Sequence, residues 1–379
     1  MTALAAALAV GAIALFAWSY LVYPPLILGR AGVLVPDAGS LPSTPFSMEV
    51  VLSAADEESV IVARVENLLS QEAGADVSVA IGCDGCRDKT AERAREAGGA
   101  RVRVVEFSSR RGKAAVVNDL VRDSTADVLI FTDANTRFEP GAVVALARAF
   151  DDARVGAACG RLIFERAPGA RETPESDFWD RETRMKEAEG ALGICLGANG
   201  AIYAARRALV RPLPEDTTSM DDFLIPVRVA RAGHKIVFAG AAVAREDTAQ
   251  DVAAEVSRRL RIGIGAGQVL RRERWLYAAG AHPLLTLAFL SRKAARWLAP
   301  LLTLCAAVAA LFSAGLRPFG AAALLFALLL LGVALLKPRL GGAAGRLYYF
   351  GVLNVALALG VAAGLAGYAR PVWTRTARS

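Results

Sequence analysis

No charged side chain precedes Arg30 in this 379-residue chain, and histidine occurs only twice. Leu4 to Tyr23 is an almost unbroken apolar run, yet it has no basic stretch before it and no clear small-residue cleavage site. A removable secretory signal wants both, so the run reads as an uncleaved membrane anchor. The five cysteines include one CxxC, Cys83 and Cys86, with no second pair and no nearby histidine, which argues against a zinc or redox centre. Cysteines in a cytoplasmic domain are expected to be reduced thiols. The spacing of a phosphate-binding P-loop is missing, which argues against an ATPase. Three runs near the C-terminus contain no charge at all: Trp297 to Leu316, Pro318 to Leu336 and Leu347 to Ala369. Spans without ionisable residues give a pure transporter no pathway to use. The net charge of +7 is not interleaved with aromatic residues, so it points to membrane surface and phosphate groups, not to nucleic acid. No internal repeat interrupts the pattern.

What is present is uneven. Hydrophobic residues make up 54% and mean hydropathy is +0.38, but the excess sits at the two ends. Residues 1–29 read as a transmembrane anchor, 46–274 as a charged globular domain, and 297–370 as a membrane region of about three helices. Arg317, Lys337, Arg339 and Arg346 mark its turns. Between them, residues 275–296 carry an apolar run, Trp275 to Ser291, followed by Arg292, Lys293 and Arg296. This segment reads as amphipathic and interfacial, with its cations at the headgroups. The basic residues flanking the globular domain place it on the cytoplasmic side of an inner or plasma membrane. Three closing spans would put Arg370, Arg375 and Arg378 outside, against that rule. Counting Trp275 to Ser291 as a span would remove the conflict, so four and five crossings both stay open.

The globular domain alternates strands and helices. Met48–Ser53, Val77–Ile81, Val102–Phe107 and Val128–Thr132 read as strands. Ser59–Gln71, Asp88–Ala97, Lys113–Val121 and a segment opened by Pro140 read as helices. This predicts an α/β fold with a mostly parallel sheet covered on both faces. Ligands of such sheets bind beyond the carboxyl ends of the strands. Asp56 and Glu57, Asp84, and Asp133 all fall there, and three acidic positions on one edge make a site where any one alone would be a loop residue.

Asp133 and Asn135 offer two oxygen ligands at the spacing that shares a divalent cation with substrate phosphates. Arg110-Arg111-Gly112-Lys113 opens a helix and can receive phosphate. Asp221 and Asp222 are adjacent carboxylates, one of which can keep a raised pKa and act as a general base. Arg258, Arg259 and Arg261 precede the membrane region and could bind a diphosphate or lipid headgroups.

Taken in order from about Met48 to Gln268, these segments resemble family 2 glycosyltransferases of the GT-A fold. The likeness is to membrane-bound synthases of poly-N-acetylglucosamine, chitooligosaccharide, cellulose and hyaluronan. It implies that Asp56, Glu57 and Asp84 contact the nucleotide and that Lys113 and Arg261 face the diphosphate. Asp133-Ala134-Asn135 stands for the D-x-D motif holding Mg²⁺ or Mn²⁺. Asn199, Gly200 and Arg258 fall on the acceptor side, and Asp222, with Asp221 beside it, matches the base. Ala55 replaces a family tyrosine, Asn135 the second aspartate, and Arg258 and Ile262 the Gln and Trp of Q-x-x-R-W. The implied activity is inverting transfer from a UDP-hexose or UDP-N-acetylhexosamine to a saccharide acceptor. Single addition to a lipid or lipid-phosphate acceptor, and a nucleotide-binding scaffold, are the rival readings. Partner subunits or a homo-oligomer would supply further spans.

Overall fold

The computed structural model describes residues 1–29, 46–71, 77–165, 174–247, 252–278, 280, 282–313, 315–335 and 342–370. The charge markers Arg30, Lys337, Arg339, Arg375 and Arg378 lie outside them. The chain opens with α1 (Thr2–Ala17), a π turn (Trp18–Val22) and α2 (Tyr23–Leu28). Next come β1 (Met48–Ala54), α3 (Ile61–Leu69), β2 (Val77–Asp84), α4 (Thr90–Gly98), β3 (Val102–Phe107), α5 (Lys113–Arg122) and β4 (Val128–Thr132). After these follow β5 (Thr136–Phe138), α6 (Ala142–Arg148), β6 (Val155–Glu165), α7 (Pro174–Ala191), β7 (Tyr203–Arg206), α8 (Asp221–Arg231) and β8 (Lys235–Asp247). The closing part is α9 (Val252–Arg272), α10 (Pro283–Ala288), α11 (Ala295–Leu311), α12 (Arg317–Leu335) and α13 (Gly342–Leu365).

The sheet order is β3-β2-β1-β4-β7-β6-β8-β5. β3, β2, β1 and β4 pair in parallel, as do β6 and β8. β7 runs antiparallel to β4 and β6, and β5 antiparallel to β8. The sheet is thus mostly parallel, as the alternation predicts. β4 is buried along its whole length, which is why Val-Leu-Ile-Phe reads as an unbroken apolar run. The register sets the carboxyl ends of β1, β2 and β4 side by side and so brings Asp56, Asp84 and Asp133 to one edge.

Among the described residues, three helical stretches are long and apolar enough to cross a membrane: Thr2–Leu28, Pro283–Leu311 and Tyr348–Leu365. A shorter apolar stretch covers Arg317–Leu329. The second of these runs across residues 296 and 297. Arg274–Tyr277 is a 3₁₀ turn, and from Pro283 the chain is helical without a break to Leu311, through a π segment at Phe289–Ala294. The cations that looked interfacial are turned inward: Arg292 is fully buried and bonded to Glu182 and Glu189 on α7.

Candidate active site

One cavity of about 1050 Å³ lies over the carboxyl edge of the sheet. Glu57, Asp84, Lys113, Asp133, Asn135, Asn199, Gly200, Asp221, Asp222, Arg258 and Arg261 all line it. Asp56 is held to the side, paired with Arg110 and accepting the Arg87 backbone N–H at 2.7 Å. Its φ of 58° is left-handed, a conformation that aspartate tolerates better than most residues.

Asp84 is buried at the end of β2. Its two oxygens accept the backbone N–H groups of Arg111 and Gly112 at 2.7 and 2.9 Å. This fixes the turn into α5, whose first residue is Lys113. The Lys113 ammonium then sits between two carboxylates, 2.9 Å from Asp133 Oδ1 and 3.0 Å from Asp221 Oδ2. Burial disfavours its charge, but Asp133 and Asp221 outweigh that and hold its pKa above the ordinary lysine range. Gly200 closes in from the other side: a Cβ there would stand 3.2 Å from Asp133 Oδ2.

Asp221 and Asp222 open α8 behind Met220, whose φ of 80° is strained for a side chain of that size. The two carboxylates have different surroundings. Asp221 Oδ2 accepts the Tyr203 hydroxyl at 3.2 Å as well as Lys113. Among the described residues no hydrogen bond or ion pair holds the Asp222 carboxylate, which faces the cavity. Burial and the neighbouring Asp221 charge push its pKa up to about 6.

On the acceptor side expected from the sequence, Asn199 is buried. Its Nδ2 donates to Gly160 O at 2.9 Å and its Oδ1 accepts Lys186 Nζ. Ala198 N–H donates to Asp222 O at 2.9 Å, which ties this loop to α8. Arg258 and Arg259 pair with Glu255 at 3.2 and 2.9 Å on α9.

For a divalent cation, Asp133 and Asn135 present hard oxygens. Asn135 Nδ2 donates to Glu246 Oε1 at 2.9 Å, which leaves its amide oxygen directed elsewhere and sets a second carboxylate beside it. A donor set of carboxylate and amide oxygens fits Mg²⁺ or Mn²⁺. Glu246 and Lys186 were not foreseen from the sequence, and Lys293 was read there only as a headgroup cation. Glu246 reaches Asn135 because β8 pairs with β5, opposite Thr136, and no local spacing signals that pairing.

Residues 45–265 match the family model for glycosyltransferase-like family 2. The chain belongs to glycosyltransferase family 2. This family 2 glycosyltransferase is similar to an N-acetylglucosaminyltransferase of Azorhizobium caulinodans, 22% identical over 59% of the chain. The match spans 60% of that relative's length. Its fold is similar to mannosyltransferase PcManGT from Pyrobaculum calidifontis, solved with GDP-Man and Mn²⁺. That likeness has a TM-score of 0.63 at 21% identity and covers 94% of this chain and 99% of the other, so it takes in the membrane-type helices as well as the GT-A sheet.

Proposed function

We propose that the protein moves a glycosyl unit from a nucleotide-diphosphate sugar to an acceptor hydroxyl in one in-line displacement, with inversion at the anomeric carbon. The observation that carries this is the unequal pair Asp221 and Asp222. Asp221 is tied to Lys113 and Tyr203, while Asp222 faces the cavity with a pKa near 6. A base poised near the working pH both exists in the right form and takes a proton effectively. Asp222 takes the proton of the acceptor hydroxyl. Asp221 holds Lys113 in place.

Asp133, Asn135 and Glu246 would hold Mg²⁺ or Mn²⁺, which when bound would supply positive charge to offset that of the departing diphosphate. Lys113 and Arg261 face the same phosphates. Asp56, Glu57 and Asp84 form the nucleotide end, Asp84 by fixing the loop of residues 111–113. Asn199, Gly200 and Arg258 border the acceptor. The Mn²⁺ and GDP-Man in PcManGT support a metal-assisted nucleotide-sugar reaction. The activity named for the Azorhizobium relative supports a UDP-N-acetylhexosamine among the donors to be tried first. With three apolar helices packed on the domain, the protein is read as multi-pass, working at the cytoplasmic face of the membrane.

The test is nucleotide release from detergent-purified protein offered UDP-glucose, UDP-N-acetylglucosamine or GDP-mannose. Each is run with Mg²⁺ or Mn²⁺ and with EDTA. Release with a single donor, lost in EDTA, is expected. Failure to bind any nucleotide would turn the reading toward a membrane scaffold.

A further inference from the structure

The cavity continues past the acceptor loop to the membrane-type helices. Trp297 lines it there, with Tyr349, Phe350, Leu353 and Leu357 of α13. Trp297 and Leu353 are buried at 6% and 8% exposure, while Phe350 is 52% exposed among the described residues, so this apolar lining is open at Phe350. Beside that wall stands a dense charge cluster. Four cations, Lys186, Arg292, Lys293 and Arg296, are grouped with three carboxylates: Glu182 and Glu189 among them, and Asp222 within electrostatic reach of Lys186 and Lys293. Arg292 takes up Glu189 and shares Glu182 with Arg296, which lies 2.9 Å from it. Lys293 is left 3.7 Å from Glu182, and Lys186 is bonded to the neutral Asn199 amide.

The four cations exceed the three carboxylates by one, and Glu182 is the carboxylate that Arg292, Arg296 and Lys293 all approach. Burial opposes its ionisation, yet Arg292, Arg296, Lys293 and Lys186 together hold its carboxyl well below the usual range. A buried excess of positive charge is costly unless an anion meets it. Both lysines border the proposed acceptor loop: Lys186 through Asn199, and Lys293 through Gly197, where a Cβ would stand 3.3 Å from its Nζ. Two π turns, Trp18–Val22 and Phe289–Ala294, meet at this level, joined by Trp18 Nε1 donating to Ser291 Oγ at 2.8 Å. Such turns concentrate at functional sites.

We infer that the acceptor is an anionic membrane lipid with a hydroxyl-bearing, phosphate-linked headgroup: the phosphate at Lys186 and Lys293, the hydroxyl at Asp222, and the acyl chains along α13 and Trp297. This rests on the glycosyl-transfer reading above. The hydroxyl oxygen bonds to the anomeric carbon as the bond to the diphosphate breaks. The proton passes to Asp222 and the electron pair leaves with the nucleoside diphosphate. A soluble phosphorylated compound offers the same anion but has no apolar part to set against the cavity lining at Trp297 and Phe350.

The experiment places full-length protein in phosphatidylcholine nanodiscs containing phosphatidylglycerol, phosphatidylinositol or neutral diacylglycerol. Glycerol 3-phosphate forms a soluble arm. Each of the three labelled nucleotide sugars is supplied, and label in the organic extract is read alongside nucleotide release. Label is expected in phosphatidylglycerol or phosphatidylinositol, with little in diacylglycerol or glycerol 3-phosphate. Lys293→Gln should raise the KM for the lipid about tenfold, the scale of one lost charge-assisted contact, with a smaller change in kcat. Lys293→Arg should recover most of it. Nucleotide release with an unlabelled lipid extract overturns the proposal, as does equal labelling of diacylglycerol or of glycerol 3-phosphate. Equal KM values for Lys293→Gln and Lys293→Arg also overturn it. No release with any donor overturns the transfer reading itself.

Discussion

Lys113, Asp133 and Asp221 come from three separate stretches of sequence and meet at a single ammonium group. Their residue types were legible, because acids after strands and a lysine at a helix start are local signals. Their contact was not, because it depends on how the starts of α5 and α8 are brought to the end of β4. Two predictions belong to this scale. The first concerns Asp222. Its folded pKa is raised, to about 6, so its protonated form is favoured by folding. The stability this gives is fully present below the unfolded carboxyl pKa and is lost as pH rises through about 6. Removing the charge should therefore stabilise the protein at neutral pH, on the order of 1–3 kcal/mol. Asp222→Asn is expected to melt higher at pH 7.5 while turnover falls by about 10² or more. In the wild type, kcat/KM should fall below about pH 6 as the base is protonated, and that limb should vanish in the variant's residual rate. The second prediction concerns the metal. Glu246→Gln removes a carboxylate beside Asn135 and should raise the Mn²⁺ concentration for half-activity about tenfold, whereas Asn135→Asp, which adds a charge, should lower it. Isothermal titration with Mn²⁺ alone checks both without turnover.

At the scale of elements, the first four strands and the helices between them were readable because these parallel strands are short, mostly apolar runs that end in polar turns. The antiparallel half was harder. β7 is Tyr-Ala-Ala-Arg and β6 begins Val-Gly-Ala-Ala, compositions that fit a helix equally well until their pairing partners are known. The helix Pro283–Leu311 was divided at its charges because sequence could not supply Glu182 and Glu189 from α7. The crossing of α9 with α13 is another long-range feature. Gly263 and Gly267 on α9 face Gly360 and Gly364 on α13, and a Cβ on Gly263 would stand 2.6 Å from Leu357 O. Small residues let two helix backbones touch, and neither helix can withdraw without opening the cavity wall that both line. Gly360→Leu should force them apart at a cost of about 1–3 kcal/mol. A lower melting temperature with a raised KM for acceptor is the expected result. A change in neither would mean that the two helices tolerate separation.

At the scale of the whole molecule, one apolar core runs from the sheet into the membrane-type helices. Leu129 and Phe131 of β4 belong to it, as do Tyr23 and Ile27 of α2, Ala266 of α9, Trp297 of α11 and Val361 of α13. Residues 46–274, read from the sequence as a globular domain, therefore share this core with the helices on either side. Its second point of attachment is polar. Arg292 has no exposed surface, and its guanidinium donates to Glu182, to Glu189 at 2.6 Å and to Leu196 O. It fixes the helix Pro283–Leu311 to α7 and to Leu196, just before Gly197–Gly200, at once. Burying these charges is expensive, so the pairing need not add net stability, but breaking it leaves carboxylates without their partner. Arg292→Met should cost about 3–5 kcal/mol. Glu182 keeps Arg296 and Lys293 nearby, so the penalty falls mainly on Glu189, which has no second cation bonded to it among the described residues. Adding Glu189→Gln to Arg292→Met should therefore return a large part of the loss, even though it removes another charged group. Thermal unfolding of the two single variants and the double variant measures this. Additive losses would mean that Arg292 acts through packing, and recovery would mean that the membrane-type helix is held to the catalytic domain by charge.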